Sequence, residues 1–593
     1  MTTIAQPPVV RDTVPATAPA AVPLIGQVAT WARRRPTETA YTFVDFVADP
    51  DGVRQDLSWL ELHRRATALA ARIRRVAAPG ERVAVLAPPG LGYVVALYGA
   101  WYAGAVAVPL FPPDQPRHAA RLAGSYADCA PRCVVTTTAV AGAVADFVRA
   151  NGGGAVLLAD EAAGPDAAGV DPVGPGPATS DQDIAYLQYT SGSTRDPAGV
   201  EISYGNLAAN VRQLWTAFAG GRIRFAAVNW IPLFHDMGLL ATVAMPLLHG
   251  TRSVFFDPMA FLMRPERWLR LLSAEESAYT AAPNFAYDYC VRRVDPLLRA
   301  SFDLSRVFMW LNGAEPVRAT TLAAFADAFR ASGLDRRALC AAYGLAEATV
   351  FVAGDRPDHR PTVTRFDRAA LAAGQARPVT DERPAAALVS CGRPVGQRIA
   401  IVDPHRRVTL PDGQVGEIWV YGPNTARRYW RQPERSAEVF EAVLAGSAGL
   451  PVGPWLRTGD LGFLDGGRLY VTGRWKDLVI VAGRNHYPQD IEATAIGGCR
   501  ALEEGRVVAF SVPVGAGEGA VVLAEPRSAP GGWHPDQVAR DVRKAVWAAH
   551  DLALHDVVLA APGGVPRTSS GKLSRAVARA RYLAGAFATP RVG

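Results

Sequence analysis

The stretch Val83–Pro113 reads VAVLAPPGLGYVVALYGAWYAGAVAVPLFPP and contains no charged residue. About 20 consecutive apolar residues suffice to cross a bilayer, so length alone admits a membrane span. The prolines argue against one. Pro88, Pro89, Pro109, Pro112 and Pro113 cut the stretch, and a proline inside a helix removes a backbone N–H and crowds the preceding turn. Three pieces survive: an apolar run at Val83–Leu86, a helix-length Tyr93–Tyr102 and a second β-type run at Ala105–Leu110. Strand, helix and strand that are hydrophobic on every side make a parallel βαβ unit covered on both faces. The stretch is therefore predicted to be the buried centre of an α/β sheet, and no transmembrane segment is expected.

Working outward, Cys133–Thr137, Ala155–Leu158 and Ile184–Gln188 continue the β-type runs between Ala- and Leu-rich helical segments. This extends a parallel, doubly wound sheet over about Pro23 to Gly250. A second set, Ser253–Phe256, Ala278–Ala281 and Arg306–Leu311, alternates with helix-like Pro265–Ser273 and Ala319–Ser332 and predicts a second doubly wound α/β layer. Between Ala353 and Ala387 the pattern fails: only Arg368–Ala373 looks helical, and a surface insertion or long loop is expected. Short strands at Arg398–Val402, Gly416–Val420 and Leu469–Val471 are divided by Asp-Gly and Gly-Pro turns, as in a small β-barrel. Beyond Trp475, runs at Leu478–Val481, Val507–Pro513 and Val521–Ala524 mix with helices at Pro535–Ala549 and Leu573–Leu583, a separate small α+β domain. The predicted organisation is a disordered lead-in at 1–22, a large α/β domain over 23–474 with an insertion at 353–387, and the α+β domain over 475–593.

With 593 residues, 49% of them hydrophobic and 20% charged, the chain is neither disordered throughout nor fibrous. No 20–50-residue period repeats, which removes solenoids and propellers. Six cysteines without a CxxC pair exclude a disulfide framework and a structural zinc site, so a reducing, cytoplasmic compartment is expected. A net charge of +7 permits an acidic partner, yet no basic run or recognition motif points to nucleic acid. Among 62 lysines and arginines only Lys476, Lys544 and Lys572 are lysines. A lysine in such a chain marks a place that needs a compact, flexible ammonium group rather than a planar guanidinium.

Four segments carry chemistry. The loop Tyr189–Gly199, YTSGSTRDPAG, follows the Ile184–Gln188 strand and precedes a helical stretch from Asn206. Backbone N–H groups and hydroxyls there suit a phosphate, with a plain loop as the competing reading; it is not a Walker loop, because GxxxxGK[ST] is absent. Asp460 in Leu456–Gly462 can accept two sugar hydroxyls or simply cap a turn. Glu347 in Tyr343–Thr349 can contact Mg²⁺ or stay solvated. Lys572 in PRTSSGK, Pro566–Lys572, precedes the last helix; a lone lysine there would ordinarily face solvent, and its rarity favours a function.

Together these motifs resemble the adenylate-forming enzyme superfamily over about Pro23 to Leu583. The ordered set is the Thr190–Gly199 loop, Tyr343–Thr349, Leu456–Gly462, Gly473–Asp477 and Ser569–Lys572. Within that superfamily the chain is similar to the fatty acyl-AMP ligases. The narrower likeness rests on Trp230–Gly238 (WIPLFHDMG), Ala282–Tyr287 (APNFAY), Asn312–Pro316 (NGAEP), Val389–Gly392 (VSCG) and Gly483–Asp490 (GRNHYPQD). The 353–387 stretch falls where the resemblance puts an insertion that restrains the small domain and disfavours coenzyme A chemistry.

The resemblance implies a mobile C-terminal domain and assigns roles. Thr190, Ser191, Gly192, Ser193 and Thr194 would hold the β- and γ-phosphates of ATP. Gly313, Ala314 and Glu315 with Ala342, Tyr343 and Gly344 would wall the adenine. Glu347 would help hold Mg²⁺, and Asp460 and Arg474 would take the ribose hydroxyls. Lys476 would be the hinge, Lys572 the lysine that enters the site during adenylation, and His235 a residue at the carboxylate end of the acyl pocket; alone, His235 reads as a satisfied core histidine. Many adenylating relatives have glycine and lysine where this loop has Arg195 and Ala198, a form that acyl-AMP ligases often share. Arg195, the one cation in the loop, is expected to face the leaving pyrophosphate. The implied reaction joins a fatty acid to AMP and passes the acyl group to the phosphopantetheine thiol of a separate acyl carrier protein. A fatty acyl-CoA synthetase and a silent acyl- or nucleotide-binding protein are the alternatives.

Overall fold

The computed structural model describes residues 23–114, 118–163, 180–190, 197–222, 224–381, 385–446, 449–481, 484–503, 505–515, 517–528, 532–567 and 573–587. The lead-in expected at 1–22 lies outside them. The first fourteen strands are β1 (Thr39–Asp45), β2 (Val53–Ser58), β3 (Arg82–Leu86), β4 (Val106–Leu110), β5 (Cys133–Thr136), β6 (Ala155–Leu158), β7 (Ile184–Tyr189), β8 (Gly199–Ser203), β9 (Ala226–Asn229), β10 (Arg252–Phe256), β11 (Ala278–Pro283), β12 (Val307–Gly313), β13 (Leu339–Gly344) and β14 (Phe351–Gly354).

The Val83–Pro113 stretch folds as predicted, with the helix Leu91–Tyr102 crossing from β3 to the parallel β4. Every residue from Tyr93 to Tyr102 is buried. The polar tips of its aromatic side chains are satisfied: the Tyr93 hydroxyl donates to the Leu110 carbonyl at 3.0 Å and the Trp101 indole to that of Ala185 at 2.9 Å. Burying one such side chain contributes about 1.5–3 kcal/mol. Gly99 permits close packing on the Trp59–Arg74 helix, since a Cβ there would lie 2.5 Å from the Leu69 side chain. No helix among the described residues is long and apolar enough to cross a membrane.

Two sheets share one large core. The first runs β6-β5-β3-β4-β7-β8, parallel except for β8. The second runs from the short strand Arg393–Pro394 through β14-β13-β12-β11-β9-β10-β1 to β2, with antiparallel strands only at its edges. Local alternation had suggested that everything from Pro23 to Gly250 belongs to the first sheet. Instead β1 and β2 flank β10, with Tyr41 opposite Ser253 and Phe43 opposite Phe255. This pairing joins residues about two hundred positions apart, which no local pattern reveals. The sheets are stitched where the Tyr41 and Tyr98 hydroxyls meet at 2.8 Å and Tyr41 donates to the Val243 carbonyl at 2.7 Å.

The segment expected as a loop at 353–387 is more ordered than its composition suggests. An antiparallel pair, Val363–Asp367 with Ala385–Val389, encloses the short helix Arg368–Ala372. Phe366 is fully buried and meets Phe463 and Tyr470 at ring distances of 4.9 and 5.2 Å. Leu371 belongs to the same cluster as Leu478 and Tyr487, so the insertion bridges the large domain and the C-terminal segment. Where a small β-barrel was expected, Arg398–Val402, Gly416–Tyr421, Leu456–Asp465 and Arg468–Arg474 form a four-stranded antiparallel meander. The Leu456–Asp465 strand escaped the sequence reading because Gly459, at φ 69°, bulges it in the middle. Beyond it, a three-stranded sheet and helices Pro488–Gly498 and Pro535–His550 surround a core of their own.

Candidate active site

Strands β12 and β13 run parallel, and their carboxyl ends carry two of the motifs. At the end of β12, Gly313 lies against β13: a Cβ would stand 3.1 Å from the Ala342 carbonyl oxygen. Ala314 then takes φ 65°, turning the chain so that the Glu315 carboxylate accepts the Phe285 N–H at 2.6 Å. Left-handed backbone at a non-glycine residue is held by its surroundings at a cost of order 1–3 kcal/mol and concentrates at functional sites. At the end of β13, Gly344 passes so close to Val350 that a Cβ would sit 1.7 Å from its carbonyl oxygen. The tight turn that follows presents Glu347, and the Tyr429 hydroxyl donates to Glu347 Oε1 at 2.6 Å. The residues expected as an adenine wall, Gly313–Glu315 and Ala342–Gly344, are thus neighbours.

The meander supplies the other half. Asp460 and Arg474 face one another in register across adjacent strands, with Arg474 Nε donating to Asp460 Oδ1 at 3.0 Å. The Tyr343 hydroxyl donates to Asp460 Oδ2 at 2.6 Å. Asp460 is 6% exposed, so its charge depends on these donors. Burial and the Asp460 carboxylate hold the Tyr343 phenol well above its ordinary range, which keeps it a donor. Asp460 first, then Glu347 and Asp477, hold the Arg474 guanidinium above its usual value. The Arg474 side chain is 62% exposed, so solvent screens this pair and its contribution to stability is small. Glu347, Tyr343, Asp460 and Arg474 therefore form one electrostatic cluster, assembled from three segments of the chain.

The neck of the phosphate-loop candidate is described on both sides. The Thr190 N–H donates to the Ala198 carbonyl at 3.2 Å, and the Tyr189 hydroxyl to Asp128 at 2.6 Å. Ser191, Gly192, Ser193, Thr194 and Arg195 lie outside the described residues. Arg121, which the sequence did not single out, donates to the Thr190 carbonyl at 3.3 Å; burial lowers its pKa, so it is a partly desolvated guanidinium beside the loop. His235 precedes a short helical turn, its Nδ1 2.6 Å from Asp236 Oδ1. The same Nδ1 accepts the Met237 N–H at 3.3 Å and so caps the turn. Gln188 Nε2 donates to the neighbouring Phe234 carbonyl at 2.9 Å and ties the segment to β7.

Lys476 is exposed in the turn Trp475–Asp477, directly after Arg474. On its far side Arg575 bonds Glu492 at 2.8 and 3.0 Å and reaches Asp477 at 3.5 Å. Lys572 lies outside the described residues. Tyr429, Arg121 and Arg575 were illegible as site neighbours because each meets its partner across 69 to 98 positions, and no spacing motif marks such pairs.

Comparison with known proteins agrees with this geometry. The model of the AMP-binding enzyme family matches residues 28–430. The chain is 40% identical to the long-chain-fatty-acid–AMP ligase FadD26 of Mycobacterium marinum, covering 94% of this chain and 96% of that protein. It is also 40% identical to a 4-hydroxyphenylalkanoate adenylyltransferase of M. marinum, covering 94% and 90% respectively. A structure from work on fatty acyl-adenylate ligases of E. coli and L. pneumophila is 30% identical, with a TM-score of 0.82 and coverage of 96% of this chain and 98% of its own. The chain belongs to the AMP-binding enzyme family and, within it, to the fatty acyl-AMP ligases, ATP-dependent enzymes that form acyl-adenylates.

Proposed function

We propose that this protein activates a fatty acid as its adenylate and delivers the acyl group to the thiol of a phosphopantetheine arm on a separate acyl carrier protein. The observation that carries the first half is the buried Asp460 carboxylate, held between Tyr343 and Arg474 beside the glycine-lined ends of β12 and β13. A buried carboxylate with oriented donors can accept a pair of vicinal hydroxyls.

In the adenylation step an oxygen of the fatty carboxylate attacks the α-phosphorus of ATP. A C–O–P linkage forms, the bond to the β-phosphate oxygen breaks, and pyrophosphate leaves with the electron pair. Carboxylate and phosphate repel, so the step depends on positioning and on cations at the accumulating charge. We assign that cationic work to Lys572 at the reacting atoms, and to Arg195 with Arg121 at the departing pyrophosphate. His235, held at the start of its turn, would orient groups at the acyl end. The site suits magnesium: Glu347 is a carboxylate oriented by Tyr429, and this ion commonly takes one or two carboxylates alongside substrate phosphates. Bound there with ATP, it would screen the triphosphate charge.

In the second step the thiolate attacks the acyl carbon, and AMP leaves. Rotation about Lys476 would exchange the C-terminal face presented to the adenylate. The net charge of +7 suits an acidic carrier surface. The two mycobacterial relatives are named for a long-chain fatty acid and for a 4-hydroxyphenylalkanoate. Both names describe a carboxylate on an apolar tail, and the tail is the variable part. The test is incubation of the protein with Mg·ATP and a panel of medium- and long-chain fatty acids and arylalkanoates, with and without coenzyme A, products being read by mass spectrometry. Acyl-AMP that persists in the presence of coenzyme A supports the proposal. Acyl-CoA would make the protein a synthetase, and no adenylate from any acid of the panel would leave a different carboxylate substrate or a silent binder.

A further inference from the structure

The strand Leu456–Asp465 does not pair evenly with its neighbour Gly416–Tyr421. Gly416 faces Gly462 and Glu417 faces Leu461, but Trp419 faces Arg457 and Val420 faces Leu456. Thr458, Gly459 and Asp460 therefore stand opposite Ile418 alone. Bulges of this kind bend a strand and re-aim a side chain, and they leave backbone groups without a ladder partner. The side chain re-aimed here is that of Asp460, which lies in register with Arg474 on the next strand.

Two side chains satisfy the bulge. The Thr458 hydroxyl donates to the Ile418 carbonyl at 2.7 Å and accepts the Asp460 N–H at 3.1 Å. One hydroxyl thus joins the two strands and fixes the backbone of Asp460 itself. Glu417 Oε1 accepts the Gly459 N–H at 3.2 Å. Its other oxygen accepts the Trp419 indole N–H at 2.9 Å and Arg457 Nε at 3.1 Å. Each of these Glu417 partners is a donor, and the residue is 3% exposed. An acceptor-only group suits that setting, whereas an amide would set N–H against N–H on one side. Gly459 supplies the turn: its φ is 69° and a Cβ there would meet nothing within 4 Å, so the glycine serves conformation rather than space.

The consequence falls on the carboxylate. Asp460 receives Arg474 Nε at 3.0 Å on one oxygen and the Tyr343 hydroxyl at 2.6 Å on the other. These donors stand on two other strands, one in the meander and one in the second sheet. A recognition site works within about 0.5 Å of its productive geometry. The bulge sets where the Asp460 backbone stands, and so which lone pairs its carboxylate keeps for a ligand.

We propose that Thr458 and Glu417 are positioning residues for ribose recognition: they hold the Thr458–Asp460 bulge, and the bulge aims the Asp460 carboxylate at the ribose hydroxyls. This role rests on Asp460 taking those hydroxyls. The test is pyrophosphate release by the full chain with ATP, 2′-deoxy-ATP and 3′-deoxy-ATP, comparing the parent with Thr458→Val, Thr458→Ser, Glu417→Gln and Asp460→Asn. The readout is the ratio of kcat/KM for ATP to that for each deoxynucleotide, which does not depend on how much of the enzyme is folded. Thr458→Val keeps the branched shape and removes the hydroxyl; it should raise KM for ATP about tenfold, leave kcat within about twofold and lower the ratio at least about threefold. Glu417→Gln should lower the ratio by a similar factor, and Thr458→Ser, which keeps the hydroxyl, should retain the parent's ratio. A role in packing alone would reverse the order of the two Thr458 variants, because serine loses the methyl group and valine keeps it. Should Thr458→Val or Glu417→Gln melt below the assay temperature, Thr458→Ala or Glu417→Asp takes its place with the same expectation. The proposal fails if either bulge variant discriminates as the parent does, or if Thr458→Ser loses as much as Thr458→Val. Discrimination kept in Asp460→Asn overturns the ribose reading and this role with it. Discrimination lost in Asp460→Asn but kept in the bulge variants leaves the ribose reading standing and refutes the positioning role alone.

Discussion

Replacing Asp460 by Asn keeps its shape and removes its charge. The carboxylate accepts from the Tyr343 hydroxyl at 2.6 Å and Arg474 Nε at 3.0 Å and is 6% exposed. In the proposed complex it would also accept two ribose hydroxyls. A hydrogen bond to a charged group contributes about 1.5–3 kcal/mol against about 0.5–1.5 for a neutral pair. Neutralising the acceptor of two ribose bonds should therefore remove about 2–3 kcal/mol, a fall of roughly 30–150-fold in kcat/KM for ATP. The fold should survive: Arg474 is 62% exposed and can return to solvent, so the melting temperature should move little. The assay is pyrophosphate release with saturating fatty acid, run on ATP, 2′-deoxy-ATP and 3′-deoxy-ATP. The parent should discriminate against the deoxynucleotides, and the variant should lose most of that discrimination. If Asp460→Asn stays within threefold of the parent, or discriminates as strongly, Asp460 does not read the ribose.

Lys572→Ala should lower acyl-AMP formation at least about a hundredfold with an unchanged melting curve; near-normal turnover in a single-turnover assay would refute the assigned role. Arg195→Ala should raise KM for ATP and slow pyrophosphate release, and Arg121→Ala should do so more weakly; unchanged kinetics in both would leave the leaving group without an assigned cation. Arg575→Met leaves Glu492, 2% exposed, without its guanidinium, which should destabilise the C-terminal domain by about 3–5 kcal/mol in denaturant melts. Burial, with the nearby Arg368 and His486, lowers the His550 pKa from 6.5 to about 4, so His550 contributes stability above pH 6.5 that is lost as pH falls toward 4. Asp490, raised by burial to about 6, acts in the opposite sense over the acid range. The check is therefore the melting-temperature gap between the parent and His550→Gln, which should close on acidification.

Much of the fold was legible because its central elements are monotonous: Val83–Leu86 and Val106–Leu110 are apolar on both faces, and only a covered parallel sheet tolerates that. Legibility failed where the deciding contact is long-range or the strand is interrupted. β1 joins β10 across two hundred residues, Phe366 anchors the insertion on Phe463 and Tyr470 from about a hundred positions away, and Gly459 breaks the pattern of its strand. The site followed the same division. Glu347, Asp460 and Arg474 stood in readable motifs, and the structure brings them together. Their supports, the Tyr343 and Tyr429 hydroxyls, are ordinary aromatic positions in the sequence, and only folding turns them toward carboxylates.

The two sets of tethers around Lys476 give the hinge proposal a physical basis. Upstream, Arg474 is bonded to Asp460 and the Trp475 ring lies 5.5 Å from that of His405, which fixes both residues to the large domain. Downstream, Asp477 is held by Arg575, which is itself clamped bidentately to the buried Glu492 of the C-terminal core. Among the described residues Lys476 alone stands between these anchors, exposed to solvent. A rotation confined to its backbone would leave both sets of bonds intact, whereas a rotation one residue earlier or later would break an ion pair or a ring contact. Hinges are a few positions that absorb the backbone change while their neighbours stay packed. One consequence follows for the ribose cluster. Because Arg474 stays with Asp460 on the large-domain side, the proposed ribose contacts need not be remade between adenylation and acyl transfer, and the adenylate can be held while the catalytic face changes.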